Sequence, residues 1–223
     1  MDKNIINLNN YDYIIPFGEE CYTCESIDVK FNNNNNKLRN CAFPFDYVGH
    51  TFIETLTSKL KNIMEPEYLL SIADVDIKLF DKNYFYIDKK YELYYWHDTT
   101  HTNLNEFTED ELILFLEKYN RRYERLKSVL LNNNEKILLI SVNHFDNIYS
   151  NIYKKKELFE LYEVVQKINP NISLLAFNYD DTNYKCDNLY NINLDINYKL
   201  PFEKSKILFK KTLFNYFVNH EIN

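Results

Sequence analysis

Short apolar runs alternate with longer stretches of helical spacing along most of the chain. Tyr11–Phe17 (YDYIIPF) reads as a first strand, closed by Pro16 and Gly18. Residues 18–29 are compatible with a short helix or a loop. Thr51–Ile63 carries apolar residues at Phe52, Ile53, Leu56 and Leu60, the spacing of one helix face. Ile77–Leu79, Tyr84–Ile87 and Leu93–Trp96 alternate as strands, separated by Asp81-Lys82-Asn83 and Asp88-Lys89-Lys90. Thr108–Leu131 is the strongest helix: Thr108 supplies an N-cap, Glu109, Asp110 and Glu111 an acidic first turn, and Arg121, Arg122 and Arg125 lie toward its other end. Lys136–Val142 (KILLISV) and Ile172–Phe177 (ISLLAF) are nearly continuous apolar runs, as in strands buried on both faces. Between them Lys155–Ile168 reads as a helix; Leu189–Ile196 is a weaker strand, and Phe202–Val218 a closing helix.

Helix, strand, helix, strand, strand, helix in the second half predicts an α/β protein. The expectation is one three-layer domain over residues 1–223, with a mainly parallel central sheet and the strands of residues 77–96 as an antiparallel part. No repeat is apparent, and the low-complexity stretch Asn32–Asn36 is too short to join two domains.

A chain of 223 residues buries enough surface to need no disulfide framework. Its net charge of −7 argues against a nucleic-acid or anionic-membrane binder, which needs clustered positive charge. No segment reaches the ~20 apolar residues of a membrane span, and Met1–Ile5 lacks a secretory pattern. Four cysteines, Cys21, Cys24, Cys41 and Cys186, are then expected as reduced thiols in the cytoplasm. About one residue in seven is Asn, and Lys, Ile, Tyr and Phe are also abundant, a bias of A/T-rich codons. On that account many Asn and Tyr side chains are expected to carry no structural message.

Ligands of open α/β sheets lie beyond the carboxyl ends of the parallel strands. Residues just past the apolar runs are therefore the candidates: Cys21 after the first strand, His97 and Asp98 after Leu93–Trp96, Asn143 and His144 after KILLISV, and Asp180 and Asp181 after ISLLAF. A thiol and an imidazole so placed suit nucleophilic catalysis, because the imidazole favours the thiolate. Each has a plainer reading: an inert buried thiol, a histidine capping a strand, or ordinary turn chemistry at Asn178-Tyr179-Asp180-Asp181. His101 and His220 read as surface residues. Cys21-Tyr22-Thr23-Cys24 lacks the second Cys-x-x-Cys of a zinc site, so no metal or other cofactor is expected. The Arg121, Arg122 and Arg125 cluster suits an anion, but pairing with acids such as Glu117 and Glu124 is the commoner outcome. Phosphate-binding glycine loops are excluded, the chain having only Gly18 and Gly49.

Phe17-Gly18-Glu19-Glu20-Cys21, then Leu38-Arg39 and Ala42-Phe43-Pro44-Phe45-Asp46-Tyr47, resembles the opening signature of a family grouped with the papain-like cysteine peptidases. That signature runs Ser-Leu-Gly-x-x-Cys, Leu-Arg, Pro-Phe-Asp-Trp. Tyr95-Trp96-His97-Asp98 resembles its aromatic-x-His-Asp element, and the helix with Tyr119-Asn120-Arg121-Arg122 and the KILLISV strand also fit. The resemblance spans about residues 11–180. Pro16 stands in place of Ser, Tyr47 in place of Trp, and Asn32–Asn36 looks like an insertion.

The resemblance implies a thiol enzyme, with Cys21 as nucleophile and His97 as base. Asp98 or Asp46 would orient the imidazole, and backbone N–H groups around 19–22 would form an oxyanion site. The expected catalytic set is Cys21, His97, Asp98, Asp46 and His144; the expected substrate contacts are Gly18, Glu19, Glu20, Asn143 and Asp180. A peptide or a small acyl compound would be the substrate. Papain architecture opens a long helix with its Cys and carries its His on an antiparallel sheet, whereas the buried runs here predict parallel strands. Two other readings stand beside this one. A non-catalytic protein would use its Tyr-rich acidic surface to hold a protein partner. A sugar- or nucleotide-modifying enzyme would work through an Asp/His cleft without a covalent thiol.

Overall fold

The computed structural model describes residues 6–17, 43–46, 48–49, 53–95, 98, 100–143, 154–194 and, near the end of the chain, 207–208, 211–213 and 215–216. The protein is α/β. One sheet is mostly parallel and runs β1 (Tyr13–Pro16), β7 (Ile137–Val142), β8 (Ile172–Phe177), β10 (Leu189–Ile192), β9 (Tyr184–Cys186) in spatial order. Of its pairings only β9–β10 is antiparallel. β7 sits between β1 and β8, and all six of its residues are buried, as an apolar run covered on both faces requires.

Successive residues of these strands point to opposite faces. Ile15, Ile137, Leu139, Leu174 and Ala176 pack into one core with α1 (Ile53–Ile63), α2 (Glu109–Leu130) and α3 (Lys155–Ile168). Ile14, Leu138, Ile140, Leu175 and Phe177 pack on the other face against Leu8 and against Leu213 and Tyr216, both helical residues near the end of the chain. The parallel strands advance in one direction, β1 to β7 to β8 to β10. Right-handed crossovers that all advance the same way put their helices on the same face, which accounts for α1, α2 and α3 lying together.

The second sheet lies within the β1–β7 connection. It comprises β2 (Val48–Gly49), β5 (Leu93–Tyr95), β4 (Asn83–Asp88) and β3 (Val75–Phe80) in that order, with β6 (Thr100–His101) also on β4; every pairing is antiparallel. β3 and β4 turn through Asp81 and Lys82, both left-handed at φ 43° and 83°, the backbone of a tight two-residue hairpin.

Three features depart from the reading of the sequence. The short strands β2, β6 and β9 carry too few residues to show a period. Tyrosine is structural after all: Phe115, Tyr119 and Tyr123 recur at helical spacing on the buried face of α2 and meet Tyr95, whose hydroxyl lies 2.9 Å from that of Tyr123. Lys59, set between Leu56 and Leu60 on α1, is fully buried, with Nζ 2.5 Å from Asp88 and 4.7–5.1 Å from the ring centroids of Tyr68, Tyr91 and Tyr123. Burial pulls its amine below the ordinary lysine range despite the attraction of Asp88.

Candidate functional site

Phe17 leaves β1 with its N–H on the Ile140 carbonyl, 2.7 Å away, and its ring meets Phe45 edge-on at 4.7 Å. This contact seats the Phe43–Asp46 turn at the carboxyl end of β1. Phe43 and Phe45 are buried, as expected for anchors of that turn. The Asp46 carboxylate accepts the Phe43 N–H at 2.8 Å, which gives the buried charge a polar partner inside its own turn. Two residues on, Val48 and Gly49 pair with Tyr95 and Tyr94, so the turn is pinned between β1 and β5.

The second motif lies at a break in the antiparallel sheet. β4 pairs with β5 at Ile87↔Tyr94 and with β6 at Phe85↔Thr100. Two steps along β4 thus face six along the other side, and Asp98 falls in that register jump. Its carboxylate accepts from the Lys118 ammonium and from the Tyr119 hydroxyl, both on α2, and is 6% exposed. Tyr119 is packed between Tyr95 and Phe115, with centroids at 4.4 and 4.8 Å. Burial pushes the Tyr119 hydroxyl far above the usual tyrosine range, and the Asp46 charge pushes the same way. Tyr119 therefore stays a hydrogen-bond donor, and the two candidate acids Asp46 and Asp98 both bear on it.

Asn143 and Asp180 stand at the ends of β7 and β8. The Asn143 backbone N–H reaches the Phe177 carbonyl at 3.0 Å and its side-chain amide the Asn178 carbonyl at 2.8 Å, so the side chain braces the loop after β8. Asp180 is paired with Lys155 of α3. Burial raises its carboxyl, but hydrogen bonds from Lys155 and from the Asp181 N–H outweigh that and leave it below the usual range. Asn178 is left-handed, φ 62°, and its carbonyl, backbone N–H and side-chain oxygen are all used. Asn191 donates to the Asp180 and Thr182 carbonyls. Here Asn178 and Asn191, of a residue type in which many side chains are expected to be silent, and Asn143, expected as a substrate contact, hold the carboxyl edge of the sheet. β7 adjoins β1 and β8 lies one strand further, so the ends of β7 and β8 lie about 5 and about 10 Å along the edge from the end of β1.

Cys21, His97, His144, Gly18, Glu19 and Glu20 lie outside the described residues, as do Cys24 and Cys41. Cys186 is exposed and pairs with Leu189 at the amino end of β10, the sheet edge opposite the candidate site. Among the described residues no group of three His, Cys, Asp or Glu side chains is placed to hold a metal ion, and no helix is long and apolar enough to cross a membrane.

His101, expected at the surface, is half-buried between Glu106 and Glu111, at 3.1 and 3.3 Å, with Phe107 against its ring. Sequence reasoning did not single out Lys118 or Tyr119 as partners of Asp98. The signal was there in their adjacency on α2: Tyr119 belongs to its buried stripe, and Lys118 flanks it. The arginine cluster divides. Arg121 pairs with Glu117 at 3.8 Å on the exposed face, whereas Arg122 lies over the Tyr119 ring, Cζ 5.0 Å from the centroid. Comparison with protein-family models, curated proteins and solved structures returns no match for this chain.

Proposed function

We propose that the chain is a cysteine-dependent hydrolase or acyl-transfer enzyme working through Cys21 and His97. One observation carries the reading: the described flanks of three motif segments converge. Phe17, four residues before Cys21, packs on Phe45; Asp46, in the same turn as Phe45, and Asp98, next to His97, both bear on Tyr119. Segments far apart in sequence thus meet at the carboxyl end of β1, the edge where α/β sheets hold their ligands.

In this reading His97 takes the thiol proton as Cys21 adds to a carbonyl carbon. The tetrahedral adduct collapses to a thioester, and the imidazolium returns the proton to the departing group. Water, deprotonated by His97, then cleaves the thioester, or another nucleophile takes the acyl group. Asp98, held by Lys118 and Tyr119, or Asp46, held by the Phe43 N–H, orients the imidazole. The substrate is a peptide or a small acyl compound, and a thiol used in this way fits a cytoplasmic setting. Incubation with a p-nitrophenyl ester, quenching in acid and peptide mass mapping should find the acyl group on Cys21 and nowhere else. Acylation spread over surface lysines, or unchanged in Cys21→Ala, would defeat the reading.

A further inference from the structure

We propose that Arg122 is an anion-recognition residue of this site, so that the acyl substrate carries a carboxylate or phosphate near the carbonyl that reacts. The placement of that carbonyl rests on the thiol-enzyme reading; the anion site itself does not.

Adjacent arginines on α2 have opposite surroundings. Arg121 is 67% exposed and has Glu117 one turn away. Arg122 is half-buried and held over the face of Tyr119, with no carboxylate in ion-pair reach among the described residues. Asp98 is not available to it, because Lys118 and the Tyr119 hydroxyl occupy that carboxylate. Lys118 and Arg122 are four residues apart on one helix face, a like-charge spacing that is unfavourable without counter-charge. Asp98 answers Lys118; Arg122 meets Tyr119 but has no counter-charge among the described residues. A guanidinium resting on an aromatic ring keeps its N–H donors in its own plane, suited to paired hydrogen bonds with carboxylate or phosphate oxygens. Tyr119 links it to the acids: the ring that supports Arg122 carries the hydroxyl bound to Asp98. An anion on Arg122 would therefore lie beside the same residue on which the motif segments converge.

The test titrates wild type, Arg122→Gln, Arg122→Lys and Arg121→Gln with inorganic phosphate or with succinate at constant ionic strength, following the thermal midpoint. Wild type and Arg121→Gln should show a saturable rise. Arg122→Gln should need about tenfold more anion, the loss of one charge-assisted contact, and Arg122→Lys should fall between. Stronger binding of phosphate assigns a phosphorylated substrate, and stronger binding of succinate a carboxylate. An unsaturable rise, or equal affinity in Arg122→Gln, overturns the proposal whatever Cys21 does. A second readout links the site to the thiol. Arg122→Gln should lower the iodoacetate rate at Cys21 while leaving the iodoacetamide rate unchanged. If Cys21 is slow to both reagents yet phosphate binding depends on Arg122, the thiol reading fails and the anion site stands.

Discussion

Lys59 is where a single residue contradicts its pattern most. A lysine between two core leucines would ordinarily reach out to water along its stem, but here the ammonium is enclosed by Asp88 and three tyrosine rings. Asp88 also accepts the Lys90 and Tyr91 N–H groups at 3.0 and 3.1 Å, so the buried pair ties α1 to the β4–β5 turn. Breaking such a pair from one side leaves an uncompensated charge, at about 3–5 kcal/mol. Lys59→Met should cost that much in urea unfolding, and adding Asp88→Asn should restore part of it, since the amide oxygen still accepts the two N–H groups. A double variant no more stable than Lys59→Met would show that the cage, not the charge pair, carries the energy.

At the scale of elements, α2 is the frame of the candidate site, since Tyr119, Lys118 and Arg122 all stand on it. Its start is fixed by a reciprocal box: Thr108 accepts the Glu111 N–H at 3.2 Å, and Glu111 accepts the Thr108 N–H at 3.1 Å. That N–H bond, outweighing the slight burial and aided by His101, draws the Glu111 carboxyl below its usual range. Thr108→Ala should lower stability by about 1 kcal/mol, read as a shift in urea midpoint at unchanged slope; no shift would mean that packing alone fixes the helix start.

This helix was legible in the sequence to within a residue, because its cap, acidic first turn and apolar stripe agree. The buried strands β7 and β8 were legible for a similar reason, as unbroken apolar runs bounded by polar turns. β2 and β9 were not, since strands of two or three residues take their shape from the neighbour they pair with. The site was legible only in part. Position after a strand marked Asp98 and the motif resemblance marked Asp46; Asp46 binds within its own turn, but what Asp98 binds depends on α2, whose Lys118 and Tyr119 lie some twenty residues further along the chain. Codon bias was a poor guide to Tyr and Asn, because burial and backbone geometry use those side chains whatever placed them there.

For the molecule as a whole, the tyrosine core sets the alkaline limit of stability. Burial, the largest cause, raises the hydroxyls of Tyr86 and Tyr184 to about 12, and those of Tyr68, Tyr95, Tyr119, Tyr123 and Tyr216 also stand above the ordinary value of 10.0. A group whose folded pKa is raised contributes stability that is complete below its unfolded value and lost as pH climbs toward the folded one. The chain should therefore hold to about pH 10 and then unfold cooperatively, with tyrosinate absorbance and loss of helical circular dichroism appearing together. Tyrosinate formed gradually in a chain that stays folded would contradict the buried aromatic core.

The central claim is that Cys21 is a thiol activated by His97, and differential alkylation tests it most directly. At neutral pH, limiting iodoacetamide followed by peptide mass mapping should label Cys21 ahead of Cys24, Cys41 and Cys186, even though Cys186 is exposed. A thiolate favoured by a neighbouring imidazole outpaces a thiol that is merely accessible. His97→Ala should slow the labelling of Cys21 selectively while the circular dichroism spectrum stays unchanged. If Cys21 is the slowest of the four, or if His97→Ala leaves its rate as it was, the protein does not work through a Cys–His pair.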